Sequence, residues 1–137
     1  MKLLILNEGV EPHAEYENRY IKNGALDLQG ISDNECIEIV LKDIVNNIPV
    51  NEIVPMLVAL SGKLRKGGKM YINGLDLRTF SRRLLKREIS DEEFNKIVYS
   101  LKSVTSVPTI KTIISQSNLQ IEKLAIRGMQ YELIATR

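Results

Sequence analysis

Apolar and polar residues alternate along the chain in blocks that predict strands and helices in turn. Short apolar runs at Lys2 to Leu6, Glu35 to Leu41 and Lys69 to Asn73 predict strands buried in a parallel sheet. Pro49 opens an amphipathic helix between the second and third runs. Its apolar residues are Ile53, Met56, Leu57, Leu60 and Leu64. A strand, a helix and a strand in this order predict a right-handed parallel crossover.

The segment after the first helix predicts a turn and two more helices. Gly67 and Gly68 are expected to end the first helix in a tight turn, and the basic segment from Leu77 to Lys86 is expected to be helical. Ser90, followed three residues later by Glu93, is typical of a capping box at the start of a helix. The apolar stripe of that helix consists of Phe94, Ile97, Val98 and Leu101.

The last part of the chain predicts a helix and an antiparallel pair of strands. The helix is expected around Ile110, Ile113 and Ile114. Arg127 and Gly128 separate an apolar strand at Leu119 to Ile126 from another at Met129 to Ala135, which indicates a hairpin. The whole chain therefore predicts one α/β domain, residues 1–137, with a doubly wound, mostly parallel sheet that ends in an antiparallel hairpin.

Composition limits the classes of function. The 137 residues are 44% hydrophobic, which suffices for one core, and the net charge of +2 does not by itself require a polyanionic partner. Cys36 is the only cysteine, so neither a disulfide nor a cysteine-based metal site is predicted. No apolar run reaches the roughly 18 residues of a membrane span. We therefore expect a cytoplasmic protein with no metal and no membrane partner.

Two neighbouring segments of the chain carry recognisable motifs. Residues 64–72, LRKGGKMYI, are similar to an L-K-P-G-G signature and the strand that follows it. Residues 30–49, GISDNECIEIVLKDIVNNIP, resemble the strand and polar loop that precede the helix before this signature, with Asp43 and Val45 to Pro49 in register. Both motifs resemble those of class I S-adenosylmethionine-dependent methyltransferases, in the small family usually associated with sugars, lipids or natural products.

The end of the chain carries a third motif of the same family. The segment from Thr109 onward, TIKTIISQSNLQIEKLAIRGMQYELIATR, also matches, with Asn118 where the family usually has Gly-Phe. Together the motifs cover about three-quarters of the chain, from Gly24 onward, and each one alone is moderately specific. The resemblance implies a Rossmann-like methyltransferase fold and S-adenosylmethionine as the cofactor to consider.

The resemblance also implies where that cofactor would lie. It would contact the loop after the first strand, here Asn7, Glu8 and Gly9, which has one glycine where the family has G-x-G. The family further needs an acidic residue at the end of the next strand to accept hydrogen bonds from the ribose hydroxyls. A different aspartate contacts the adenine in some members of the family. Asp27, followed by Leu28, either corresponds to this second aspartate or is a turn residue.

The N-terminal half is short for such a site. About 30 residues separate Leu6 from the strand at Ile37, whereas two crossovers would each require roughly a dozen residues. At least one strand–helix unit is therefore expected to be missing. Residues 10–24 are polar and aperiodic, and they predict an ordered loop with at most a helical turn.

Other candidate residues have a functional and an ordinary interpretation. Asp43 follows a parallel strand at its carboxyl end, where ligands of open α/β sheets bind, so it is a candidate catalytic residue or a helix-entry cap. His13, the only histidine, is more simply a surface loop residue than a general base. The basic residues either form a solvated face or bind nucleic acid. They are Arg82, Arg83, Lys86 and Arg87.

Three hypotheses about function follow. We favour a reduced methyltransferase-like protein that works without a cofactor as a binding or assembly module and forms a homo-oligomer through the shortened edge of the sheet. The alternative is an active S-adenosylmethionine-dependent methyltransferase that acts on a sugar, lipid-linked or small-molecule hydroxyl, with the cofactor on the loop from Asn7 to Val10. The weakest is a nucleic-acid-associated accessory protein that uses the helix from Leu77 to Arg87.

Overall fold

The computed structural model describes residues 1–137 and contains a single seven-stranded sheet. The strands are β1 (Lys2–Asn7), β2 (Glu17–Lys22), β3 (Ala25–Leu26), β4 (Cys36–Leu41), β5 (Leu64–Leu75), β6 (Gln120–Arg127) and β7 (Gln130–Thr136). They lie side by side in the order β3-β2-β1-β4-β5-β7-β6. Strands β2 and β3 therefore lie on one side of β1, and all the strands from β4 onward lie on its other side.

Four α-helices and one short 3₁₀ turn complete the chain. The helices are α1 (Val50–Lys63), α2 (Leu77–Leu85), α3 (Asp91–Tyr99) and α4 (Val107–Gln116), and the turn is Val45–Asn47. All four predicted helices are confirmed. The Ser90 hydroxyl accepts a hydrogen bond from the Glu93 N–H at 3.1 Å, as the capping motif predicts. No helix is both long and apolar enough to cross a membrane.

Strand directions confirm the predicted α/β class. Strands β1, β2, β4 and β5 are parallel, with β1 between β2 and β4, and β4 between β1 and β5. Strand β7 runs antiparallel to both β5 and β6, which makes the predicted hairpin. Three pairs of neighbouring strands are parallel and three are antiparallel, because β3 also runs antiparallel to β2. The sheet is therefore mixed and ends in the predicted antiparallel hairpin, and β4–α1–β5 is the predicted crossover.

The N-terminal third differs from the prediction. Residues 17–22, expected to belong to a loop, form β2, which pairs with β1 from Leu3 opposite Glu17 to Asn7 opposite Ile21. The expectation that a whole strand–helix unit is missing is therefore wrong for its strand, because β2 is present. Residues 8–16 and 27–35 contain no helix. Neither β1 nor β4 is an edge of the sheet.

The glycine turn also lies elsewhere than predicted. Helix α1 ends at Lys63 without a glycine cap, and β5 begins at once with Leu64. Gly67, at φ +80°, lies in an irregular segment where β5 carries extra residues opposite β4. A Cβ on Gly68 would lie 2.9 Å from the Arg65 carbonyl oxygen. The two glycines therefore shape a bulge within β5 and do not end the helix.

One face of the sheet carries the main hydrophobic core. Side chains such as Ile39 and Met70 from the strands pack there against Ile53 and Leu57 of α1 and Ile110 of α4. Successive strand residues point to opposite faces, so Leu4 and Leu6 of β1 lie on the other face and outside this core. Helices α1 and α4 thus cover a single face.

The connection between β1 and β2 crosses the opposite face without a helix. The Tyr16 hydroxyl donates a hydrogen bond to Glu38 of β4 at 2.9 Å, and burial together with this contact raises the pKa of Tyr16. The Lys2 ammonium lies 5.9 Å from the centre of the Tyr16 ring. The Tyr20 hydroxyl donates to the Val10 carbonyl at 2.8 Å. These contacts hold residues 8–16 over β1 and leave Leu4 and Leu6 buried.

Replacing Gly74 with Ala is expected to lower the free energy of unfolding by about 1–3 kcal/mol. A Cβ at Gly74 would lie 2.7 Å from Cζ of Tyr131 and 2.8 Å from Cγ2 of Val45, and both residues are buried. Gly62 of α1 is the matched control, because a Cβ there meets no atom within 4 Å. Gly62→Ala is expected to raise stability by up to about 1 kcal/mol. Urea unfolding curves measure both, and similar effects of the two substitutions would contradict this packing.

Candidate functional site

Polar side chains meet at the carboxyl ends of β1, β4 and β5. This is the topological switch point of the sheet, because the strands after β1 are added on one side of it and those from β4 onward on the other. The Asn7 side chain donates a hydrogen bond to the Asp43 carbonyl at 2.9 Å. The Asp43 N–H donates to Oδ1 of Asn73 at 2.9 Å, and Nδ2 of Asn73 donates back to the Asp43 carboxylate. Open α/β sheets bind ligands in this crevice, and here Asn7, Asp43 and Asn73 occupy it together.

The backbone at Asp43 depends on these contacts. Asp43 has φ +56°, a left-handed conformation that Asp tolerates better than most residues. Its carbonyl accepts a second hydrogen bond from the Asn47 side chain at 3.0 Å, which joins the end of β4 to the turn before α1. Asp43 therefore stabilises the turn that leads from β4 toward α1. This role is similar to the structural alternative predicted for it, a residue at the entry to the helix. Its carboxylate is exposed and also lines a cavity described below.

The predicted cofactor loop forms an exposed turn beside this network. Glu8 and Gly9 are exposed, and the Val10 N–H bonds to the Asn7 carbonyl at 3.3 Å. Gly9 has φ +84°, and a Cβ there would meet no atom within 4 Å. The glycine is therefore required for the turn and not for close approach of neighbouring protein atoms. Glu8 adds a negative charge at the rim of the crevice.

Asp27 and Leu28 lie at the far side of the sheet, after β3, and not with Asn7 and Asp43. One Asp27 carboxylate oxygen accepts a hydrogen bond from the Gln29 N–H at 2.9 Å, which is the geometry of an Asx turn. Leu28 packs against the main core and lines a small cavity of about 260 Å³. The structure thus separates Asp27 and Leu28 from the predicted site residues at the ends of β1 and β4.

The residues of the crevice fit S-adenosylmethionine poorly. The strand that follows β1 is β2, and it ends with Lys22 and Asn23 instead of the acidic residue that the resemblance requires. These side chains offer no carboxylate to accept hydrogen bonds from both ribose hydroxyls at that point. At the end of β1, the Asn7 side chain is already hydrogen-bonded to the Asp43 carbonyl, and the next residue is the negatively charged Glu8. No group of three or more His, Cys, Asp or Glu side chains could hold a metal ion.

His13 and Cys36 contribute no reactive centre to this crevice. The His13 ring lies in the segment over β1, where Nδ1 accepts a hydrogen bond from the Glu15 N–H at 3.2 Å. Its ring packs edge-on against Tyr16, 5.1 Å between centres. Cys36 is buried in β4, and burial raises the pKa of its thiol, which disfavours the reactive thiolate.

The face of the sheet opposite α1 and α4 carries a cavity that sequence reasoning missed. Its volume is about 430 Å³, and it lies over β4, β5, β7 and β6, beyond the segment that covers β1. Val40, Tyr71, Ala125 and Ile134 provide its apolar floor. Polar residues that also line it are Lys42, Asp43, Asn73, Lys123, Arg127, Gln130 and Glu132. The only sequence signal was the alternation of polar Gln130 and Glu132 with apolar Tyr131 and Leu133 in the last strand.

The chain was compared with known proteins. No family model matches it, and no curated protein matches it by sequence. Solved structures do match. A SAM-dependent methyltransferase from Methanosarcina mazei superposes with a TM-score of 0.61 at 11% identity, over 89% of this chain and 67% of that one. An O-methyltransferase family protein from Burkholderia thailandensis gives 0.61 at 15% identity, over 88% and 36%. A protein from Pyrococcus horikoshii gives 0.63 at 15% identity, over 89% and 59%.

These likenesses establish the fold. The chain has a class I S-adenosylmethionine-dependent methyltransferase-like fold, as its motifs predicted. The match covers 89% of the chain, more than the motifs do, so it extends into the N-terminal strands that carry no motif. The chain spans from 36% to 67% of the lengths of these three proteins. At such low identity, activity and ligands do not transfer with the fold.

Replacing Asn73 with Ala is expected to destabilise the protein by about 1–2 kcal/mol, because the Asp43 N–H loses its acceptor and the carboxylate loses a donor. Hydrogen exchange of the Asp43 amide should accelerate more than that of core amides in β4. The control is Asn95→Ala on the exposed surface of α3, which should leave this amide unchanged. Unchanged exchange at Asp43 in the Asn73 variant would contradict the network.

Proposed function

We propose that this protein is a methyltransferase-like scaffold that does not use S-adenosylmethionine and acts as a binding and assembly module. The observation that carries the proposal is the crevice at the ends of β1, β4 and β5, where Asn7, Asp43 and Asn73 bond to one another. These bonds occupy the side-chain amides of Asn7 and Asn73, which are then less available to a ligand. The ends of β1 and β2 add Glu8 and Lys22, which differ from the residues that the resemblance requires.

Calorimetric titration with S-adenosylmethionine, and separately with its demethylated product, tests this proposal. We expect no binding heat up to about 1 mM ligand, which corresponds to a binding free energy weaker than about 4 kcal/mol. Micromolar binding that is lost in Gly9→Val or Asp27→Asn would overturn the proposal. Lys111→Gln, an exposed change on α4, serves as the control for unspecific effects.

An active methyltransferase is the second candidate function. It is favoured by the position of the Asp43 carboxylate, which is exposed at the carboxyl end of a central parallel strand and borders the 430 Å³ cavity. In that case the cofactor would lie on the loop from Asn7 to Val10, and the acceptor would be a sugar, lipid-linked or small-molecule hydroxyl. Cofactor binding, together with loss of methyl transfer in Asp43→Asn, would support this candidate.

For the assembly role, the open face of the sheet is a better surface than its edge. The outer side of β2 is covered, because β3 pairs with Ile21 and Lys22 and the Arg19 guanidinium donates to the Asp27 and Gln29 carbonyls at 3.2 and 2.8 Å. Only the first part of β2, Glu17–Tyr20, is without a strand partner on that side. The face around Tyr71 and Ile134, in contrast, has no helix over it.

We propose that a second copy of the chain covers this face. Its apolar floor is bordered by both signs of charge, with Lys42, Lys123 and Arg127 against Asp43 and Glu132. A two-fold interface brings each residue close to different residues of the same patch, so a patch with both signs can complement itself. Two sheets packed face to face also bury half-exposed strand residues efficiently.

Sedimentation equilibrium at micromolar concentration tests the assembly. We expect a dimer of the 15.6 kDa chain that becomes a monomer in Ile134→Glu, because a carboxylate would be buried in the interface. The matched control is Ile126→Glu, also in a strand of the hairpin but 49% exposed, which should remain dimeric. A monomeric wild-type protein would contradict the assembly. Dissociation by Ala25→Pro, without an effect of Ile134→Glu, would assign the interface to the edge instead.

A further inference from the structure

A second, basic groove lies apart from the crevice, between α2, the start of α4 and the turn that joins β6 to β7. Its volume is about 640 Å³, within the range of small-molecule sites. Its lining includes Arg78, Arg82 and Lys86 of the α2 segment, Pro108 of α4, Gly128 of the turn, and Asp76. Most of its lining residues are polar or charged, in contrast to the apolar floor of the sheet cavity.

Three of its basic side chains have no partner in the protein. Arg78, Arg82 and Lys86 follow one another at intervals of four residues, so they point from one side of α2 at steps of about 6 Å. None of the three makes a salt bridge or a side-chain hydrogen bond, whereas Arg83 pairs with Glu88 at 3.7 Å. The row is therefore free to bind an anion.

Helix electrostatics do not explain this row. A cation in the last turn of a helix, such as Arg82, is stabilised by the helix dipole. Arg78 lies in the first turn of α2, where the dipole disfavours a positive charge. The first residues of α4, Val107 and Pro108, border the same groove, so a second helix begins beside it. Helix stability therefore accounts for Arg82 but not for Arg78.

Asp76 provides an independent observation. It is 2% exposed, and its Oδ2 accepts hydrogen bonds from the N–H and hydroxyl of Thr79 at 3.0 and 2.6 Å. Its Oδ1 is buried and has no hydrogen-bond partner. An unpartnered buried carboxylate oxygen is costly, so a donor from a bound molecule would stabilise it. Asp76 lies on the wall of the groove that the three cations border.

We propose that this groove binds a small phosphate monoester that also carries an amine or hydroxyl group. Arg78, Arg82 and Lys86 hold the phosphate, because guanidinium and ammonium groups bind phosphate oxygens with charge-assisted hydrogen bonds. The amine or hydroxyl donates to Oδ1 of Asp76 once this buried carboxylate turns toward the groove. A nucleic-acid strand fits less well, because no aromatic side chain lines the groove for base stacking and the net charge is only +2.

Titration by ¹⁵N-resolved NMR with glucosamine 6-phosphate tests the proposal, with glucosamine, inorganic phosphate and a twelve-nucleotide oligothymidylate as comparison ligands. We expect glucosamine 6-phosphate to shift amide signals of α2 and of the first turn of α4, and to bind more tightly than phosphate. Glucosamine alone should not bind. Signals around Asn7 should not move, which separates this result from the S-adenosylmethionine titration.

Paired variants assign the contacts. Arg78→Gln with Arg82→Gln should weaken binding by at least about tenfold. The control, Arg65→Gln with Lys66→Gln, removes the same charge from the exposed bulge of β5 and should have no such effect. Asp76→Asn can keep the helix cap, because Asn caps as well as Asp. It should reduce the affinity for glucosamine 6-phosphate to that for phosphate.

Three results would overturn the proposal. The first is the absence of shifts in α2 with glucosamine 6-phosphate. The second is an equal loss of binding in both double variants, which would indicate general charge attraction. The third is binding of the oligothymidylate through the same residues more tightly than the sugar phosphate, which would make the groove a nucleic-acid site.

Discussion

The packing of α1 and α4 on one face of the sheet is the contact on which the rest of the molecule depends. It buries the apolar side of the central strands in the main core and leaves the other side to be covered by different means. Over β1 the segment 8–16 does this with Tyr16 and Tyr20, which bond to Glu38 and the Val10 carbonyl. Over β5 and β7 nothing in the chain does. The open cavity is thus a direct result of where the helices are.

The same loss of helices accounts for the polar crevice. Where a helix follows a strand, its N-terminus presents free N–H groups that bind anionic ligands. After β1 there is no helix, and the side chain of Asn7 instead bonds to Asp43. The crevice thereby becomes part of the framework that fixes β4 against β5. The groove beside α2 retains what the crevice lacks, namely a helix start and unpaired cations.

The sequence predicted the elements whose pattern is local. Each of these elements contains its own apolar pattern or capping residue. They are the four helices, the hairpin and the strands β1, β4 and β5. Strand β2 was missed because only Ile21 of Glu17–Lys22 is buried, so the segment contains no apolar run. The Asp43 network was missed because Asn73 is 30 residues away and the contact depends on the register of β4 and β5. Asp27 and Leu28 were assigned to the site from the resemblance alone, and the structure places them after β3, on the far side of the sheet from Asp43.

Strand β7 lies between β5 and β6, although it follows both in the chain. During synthesis β5 therefore emerges with its outer side unpaired and stays so until Gln130–Thr136 leaves the ribosome. Because β6 pairs only with β7, the two can close as a local hairpin and dock on β5 as a unit. Until that docking, Tyr131 cannot pack over Gly74, and the buried row of β5 is exposed to solvent. Aggregation of nascent chains should be most frequent in this interval, and a chaperone that binds extended apolar strands would act there.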